Sequence, residues 1–263
     1  MAGRPQLREE RIVLQSTPKN LRAVSGFALQ LGALAILSLA TSGGCGVAAS
    51  GLNAEGTRHF QSGQHQAALD RFQRAISADP QNADSYYNLA AVYHHLGKAN
   101  HDSNYYAQAE QYYRQAMGLQ PDHVESYRGL AVLMSEQQRT EEAMKMLAEW
   151  GQRSPTSADA RVELARMYQE LGMRKEAEKQ LLDAITIDTR HSRARAALGM
   201  LREQEGDTAQ ALVNYTASLE ADRVQPHVAA RVAALNATIP SPALTGQMGG
   251  ARMVTLPPTT SIR

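Results

Sequence analysis

The chain has 263 residues, with 27 Lys+Arg against 26 Asp+Glu and 43% apolar residues, values that exclude a disordered chain and give no basic excess for nucleic acid. A single Cys excludes an internal disulfide framework and a CxxC zinc site. Phe and Trp together number four, so a core must be built from Ala, Leu, Val, Met and Tyr, which suits closely packed helices.

The first segment, 1–44, is basic: Arg4, Arg8, Arg11, Lys19 and Arg22 stand against Glu9 and Glu10, leaving 22 basic and 24 acidic residues for the rest. An apolar run follows at 24–40, then small residues at 41–44, directly before Cys45. A positive region, an apolar region and a small-residue site form an export signal. The run is 17 residues and carries Ser25, Gly26, Gln30, Gly32 and Ser38, so it is short for a spanning helix of about 20 apolar residues. With Cys45 placed there, the segment resembles a bacterial lipoprotein signal, which implies a lipid on Cys45 and anchorage in the envelope. Gly46 in place of an acidic residue points to the outer membrane. A plain cleaved signal or an uncleaved anchor remains the alternative. Residues 45–48 are expected to form a short linker.

From residue 49 onward the chain repeats itself. Ala68, Ala109, Ala143, Ala177 and Ala211 recur at intervals of 41, 34, 34 and 34, and Phe72, Tyr113, Leu147, Leu181 and Tyr215 follow the same rule. Small residues Gly56, Ala90, Ala131, Ala165 and Gly199 form a third column. Each unit holds two amphipathic stretches at helical spacing, and the small columns fall where antiparallel helices approach closely. Gly63, Gly97, Gln138, Gly172 and Gly206 lie where the chain reverses, and Pro80, Pro121 and Pro155 close the first three units. A single helix pair cannot bury its apolar face, whereas a stack of pairs can.

The pattern Tyr86-x-x-Leu89-Ala90-x-x-Tyr93, followed by Ala109, Tyr113, Ala116 and Pro121, resembles the tetratricopeptide repeat (TPR). The resemblance implies an all-α, right-handed solenoid of antiparallel helix pairs spanning 49–237. Its repeats are 49–82, 83–123, 124–157, 158–191 and 192–225, with a capping helix at 226–237. Beyond it, 238–263 has four prolines, three glycines and no acidic residue, and reads as a disordered tail.

Two positions break the pattern. The second unit carries seven extra residues near 98–105, which either lengthen its helices or form a contact loop at one rim. Trp150 stands in a column that elsewhere holds Ala75, Ala116, Ala184 and Ser218, so it must repack the local core or turn outward.

No catalytic constellation emerges. The eight histidines include no pair four residues apart with a carboxylate nearby, and there is no GxGxxG, GxxxxGK[ST] or GxSxG sequence. No enzyme activity, cofactor, metal, nucleic acid or small-molecule substrate is expected. In proteins of the resembled family the first helix of each pair lines a concave surface. Carried over, this places Tyr87, Asn88, His94, His95, Arg128, Arg166, Glu170 and Met200 in a groove for a protein or peptide partner. Tyr105 and Tyr112 are further recognition candidates. The clamp that family members use for a C-terminal carboxylate is not assembled, because its basic columns hold Glu125 and Gly129. These readings imply a membrane-anchored envelope scaffold that assists assembly of a complex. Pilus or secretin accessory proteins, and adaptors of cell-wall hydrolases or proteases, are the alternatives.

Overall fold

The computed structural model describes residues 42–238, with side chains from 46 to 237. The apolar run at 24–40 and the tail beyond Thr238 therefore lie outside the described residues, as does the Cys45 side chain. Eleven helices and no strand are found among the described residues: α1 Ser42–Gln61, α2 His65–Ala78, α3 Ala83–Asn100, α4 Ser103–Leu119, α5 Val124–Glu136, α6 Thr140–Arg153, α7 Ala158–Glu170, α8 Arg174–Ile187, α9 Ser192–Gln204, α10 Thr208–Ala221 and α11 Pro226–Thr238. None of them is long and apolar enough to cross a membrane. The fold is an all-α solenoid of helix pairs.

Successive helices pack on one another throughout, and α1, α3, α5, α7 and α9 also touch in sequence as a row. These first helices form one layer and the second helices the other. The contacts between layers rest on residues too small to hold the helices apart. A Cβ added at Gly56 would lie 2.5 Å from the Phe72 ring, at Gly129 2.6 Å from Tyr113, and at Gly199 2.7 Å from Tyr215. Ala90, Ala131 and Ala165 are fully buried in the same layer.

A repeating cap starts the first helices. Asn82, His123, Ser157 and His191 occupy one column and each accepts a hydrogen bond from a backbone amide three residues on, those of Ser85, Ser126, Ala160 and Ala194. The two histidines do more. Each uses Nδ1 for the cap and turns Nε2 to a carboxylate on the preceding first helix, His123 to Asp84 at 3.0 Å and His191 to Asp159 at 2.9 Å. One ring thus starts a helix and ties it to the repeat before.

Two expectations change, and one alternative is decided. The segment 45–48 is helix rather than linker, because α1 begins at Ser42 and is held down by the fully buried Ala49. The extra residues of the second unit lengthen its helices, α3 to 18 residues and α4 to 17, leaving His101 and Asp102 between them. Gly97 is therefore not a reversal. It is buried inside α3 with the Tyr106 backbone 3.1 Å from its would-be Cβ, and the left-handed turn falls on His101, at φ 53°. Elsewhere Gly63, Gln138, Gly172 and Gly206 take positive φ.

Trp150 repacks the core. Its ring is fully buried and stacks on Tyr127, with centroids 4.1 Å apart and planes 4° off parallel. Its Nε1 donates to Asp122 Oδ1 at 2.7 Å, and Arg153 Nη2 donates to the Tyr127 hydroxyl at 2.6 Å. Around this pair lies a buried cluster that spans α3 to α7.

Candidate partner-binding groove

The first-helix layer presents the groove, and the structure distributes the eight sequence-derived residues among four places along it. Tyr87 and Asn88 share a cleft of about 320 Å³ with Asn53 and Thr57 of α1, Asp84 of α3 and Glu125 of α5. Asp84 and Glu125 are exposed at the side chain, and the buried Asn53 Oδ1 has no hydrogen-bond partner within the protein. This end offers acceptors and negative charge. Burial raises the Tyr87 hydroxyl above the usual phenol range, with Glu125 adding to the shift, so the ring stays a neutral donor.

His94 and His95 lie in the next cleft, of about 250 Å³, with Phe60, Ala91, Tyr113 and Glu136. His94 Nε2 lies 3.0 Å from Glu136 Oε2, and Lys98 Nζ donates to the other oxygen at 2.6 Å. The Lys98 and His94 bonds hold the Glu136 carboxyl below its ordinary range against the opposing effect of burial. His95 faces Phe60 edge-on at 5.5 Å and meets His65 at 4.6 Å.

Arg128, Arg166 and Glu170 meet in a network that the sequence did not signal plainly. Its centre is Glu163 on α7, whose side chain is 1% exposed. Arg128 of α5 donates to Glu163 Oε1 at 2.5 Å, Arg166 to Oε2 at 3.3 Å, and Arg193 of α9 to Oε1 at 3.0 Å. Arg193 also reaches Asp159, and Arg166 reaches Glu170. Three helices are thus tied through one carboxylate. Arg128 and Arg193 bridge repeats, whereas Arg166 pairs with Glu163 and Glu170 of its own helix. A signal did exist: Glu163 sits in a column whose other members are Ala54, Asn88, Gly129 and Ala197, none of them charged. A carboxylate in such a column is enclosed, and an enclosed carboxylate needs cationic partners.

Met200 stands apart, at the far end. It is 43% exposed on α9 and lines a cleft of about 880 Å³ whose other wall is α11. Tyr105 and Tyr112 are not in the groove: both stack on Tyr93, at 6.1 and 5.6 Å. Among the described residues, no group of three or more His, Cys, Asp or Glu is arranged to hold a metal.

A stack of two-helix units with a capped, close-packed first-helix layer defines a helical-repeat solenoid. The TPR repeat profile matches 56–97, and two tetratricopeptide repeat profiles match 102–153 and 158–191, so these stretches are tetratricopeptide repeats. Over 72 residues the chain is 31% identical to the Photosystem I assembly protein Ycf3 of Synechococcus elongatus, which is 25% of this chain and 42% of that protein. The chain thus spans less than half the length of this curated relative. Among solved structures it resembles a thermophilic TPR protein of Thermus thermophilus, with TM-score 0.54 and 24% identity over 72% of this chain and 100% of that one. It also resembles a tetratricopeptide repeat protein of Parabacteroides merdae, with TM-score 0.53 and 14% identity over 70% of each chain. These two likenesses concern the fold alone.

Proposed function

We propose that this protein is a protein-interaction scaffold that holds a peptide or protein segment along its first-helix groove and assists assembly or stability of a larger complex. The observation that carries the reading is the groove itself. Polar and aromatic groups line one end, where Tyr87 and Asn88 stand beside acidic Asp84 and Glu125, and an apolar cleft around Met200 lies at the other. Such a surface suits a segment with a basic portion and an apolar portion. The assembly role printed in the name of the Synechococcus relative agrees with this reading.

The site of action is the bacterial envelope, on the argument of the basic leader, the apolar run at 24–40 and Cys45. A lipid on Cys45 anchors the protein in a membrane, with the outer membrane favoured and the solenoid facing the periplasm. Acyl chains contribute about 0.8 kcal/mol per buried CH₂, so two or more anchor stably.

The test is crosslinking and pull-down from membranes, comparing the native chain with Tyr87→Ala. The expected result is a discrete partner whose capture falls about tenfold in the variant while helical circular dichroism is unchanged. Undiminished capture overturns the assignment of the groove. Separately, Cys45→Ser is expected to move the protein from the membrane to the soluble fraction, and unchanged retention would favour an uncleaved anchor.

A further inference from the structure

The cleft at the α9 end has an apolar floor of Ala196, Ala197, Met200 and Val228, with Glu203 and Arg231 at its edge. Its rim charges are already engaged: Arg231 Nε donates to Glu203 Oε2 at 3.1 Å, and the Tyr215 hydroxyl donates to the same carboxylate at 2.9 Å. What the cleft offers an occupant is therefore mainly apolar area. One of its walls is α11, the helix from which the chain leaves at Thr238. Residues 239–263 follow, and they carry Met248, Met253, Val254 and Leu256 without any acidic residue.

We infer that this cleft is occupied by the chain's own segment around Met253, Val254 and Leu256. The reach is sufficient. Returning from Thr238 to the level of Val228 covers about 15 Å of helix, or about five extended residues. Passing along α9 requires about six more. Leu256 is 18 residues beyond Thr238, so the loop closes with slack. In an extended segment Val254 and Leu256 face the same way, as two anchors on one apolar floor require. Pro257 and Pro258 directly after them disfavour a competing helix. Charge raises no barrier, because Glu203 and Asp222 at the cleft are balanced by Arg193 and Arg231, both already paired, and the segment's only charges are Arg252 and Arg263.

Tethering decides whether such contacts are populated. A short flexible link presents its end at an effective concentration on the order of 1 mM, so a docking constant near that value already fills the cleft half the time. A partner segment entering the α9 end then competes with the tail, and the tail sets a threshold for capture. The docking itself does not depend on the existence of such a partner.

The experiment uses the full chain and a Val254→Asp/Leu256→Asp variant, and reads amide hydrogen exchange along α9 and α11. The expected result is that exchange at 196–204 accelerates at least threefold in the variant while α5 to α7 are unaffected. Equal exchange in the two proteins overturns the inference. Protection in the native chain that grows with protein concentration would show the tail of a second copy in the cleft and overturn intramolecular docking. A second arm, Ala196→Glu in the full chain, is expected to give the same acceleration at 225–235, and no change there also counts against it. Should Ala196→Glu alter the circular dichroism, that arm is replaced by adding a free peptide of residues 246–260 to the Val254→Asp/Leu256→Asp chain, which is expected to restore protection at millimolar concentration. Failure to restore it overturns the assignment of the segment.

Discussion

At the scale of single residues, Glu163 and Trp150 each concentrate several interactions in one side chain. The Glu163 carboxylate is buried, and three guanidiniums compensate its desolvation. Removing it leaves the arginines facing one another, so Glu163→Ala is expected to lower unfolding free energy by about 3 kcal/mol, measured by urea titration. Reversing Arg128 or Arg166 puts a second carboxylate against Glu163 and should also destabilise, which makes those residues poor probes of binding alone. Trp150 is the sole tryptophan, so its emission reports its own site. The Ser154 and Trp150 hydrogen bonds to Asp122 favour its charged form and hold its carboxyl below the usual range. A lowered folded value means that the stability it contributes is present above about pH 4 and is lost as pH falls through the folded value. An emission change below pH 4 is therefore expected in the native chain and not in Asp122→Asn, whose carbonyl oxygen still accepts the indole proton. Gln138 gives a gain instead. It holds φ 61°, a region that a non-glycine residue occupies at a cost of about 1 kcal/mol, so Gln138→Gly is expected to raise stability by about 0.5 to 1 kcal/mol in the same titration.

At the scale of elements, the pairing of a glycine with an aromatic ring locks helix to helix. Gly199→Ala improves helix propensity by about 1 kcal/mol, yet its Cβ meets the Tyr215 ring at 2.7 Å, and overpacking costs about 1 to 3 kcal/mol. A net loss is expected. Gly118→Ala, in α4 with nothing within 4 Å, should instead stabilise by about 0.5 to 1 kcal/mol. Thermal unfolding of the pair separates the two cases. The small-residue column of Gly56, Ala90, Ala131, Ala165 and Gly199 was legible because it repeats, and so were the helix pairs, since apolar periodicity and breaker positions agree in nearly every unit. The fate of Gly97 was not legible. A glycine in the reversal column reads as a turn until one knows that seven added residues are taken up as helix, and that choice depends on packing against Tyr106. The Glu163 network was hidden for a related reason: its six members lie on three helices, and periodicity places each on a face without saying which charges meet.

At the scale of the whole molecule, stability is a sum of neighbouring interfaces, as in any linear array. The largest buried cluster lies in the middle, from α3 to α7, while Tyr215 and Ala211 of α10 are covered by Val228 and Leu235 of α11. Ending the chain before Pro226 uncovers that surface. The shortened protein is expected to lose cooperativity at α9 and α10 first, seen as rapid amide exchange there while α5 to α7 remain protected, and to self-associate more readily. The groove was legible at this scale as a face but not as a sequence of distinct clefts, because the same columns carry different side chains from repeat to repeat.

The lengthened second pair has a consequence for anything that lies along the array. An ideal solenoid looks the same after a shift of one unit, so a bound strand or a neighbouring copy could slip by one repeat at little cost. Here α3 has 18 residues where α5, α7 and α9 have 13, a difference of about 7.5 Å in height. That step acts as a ledge. It gives an otherwise periodic surface an origin from which position is counted.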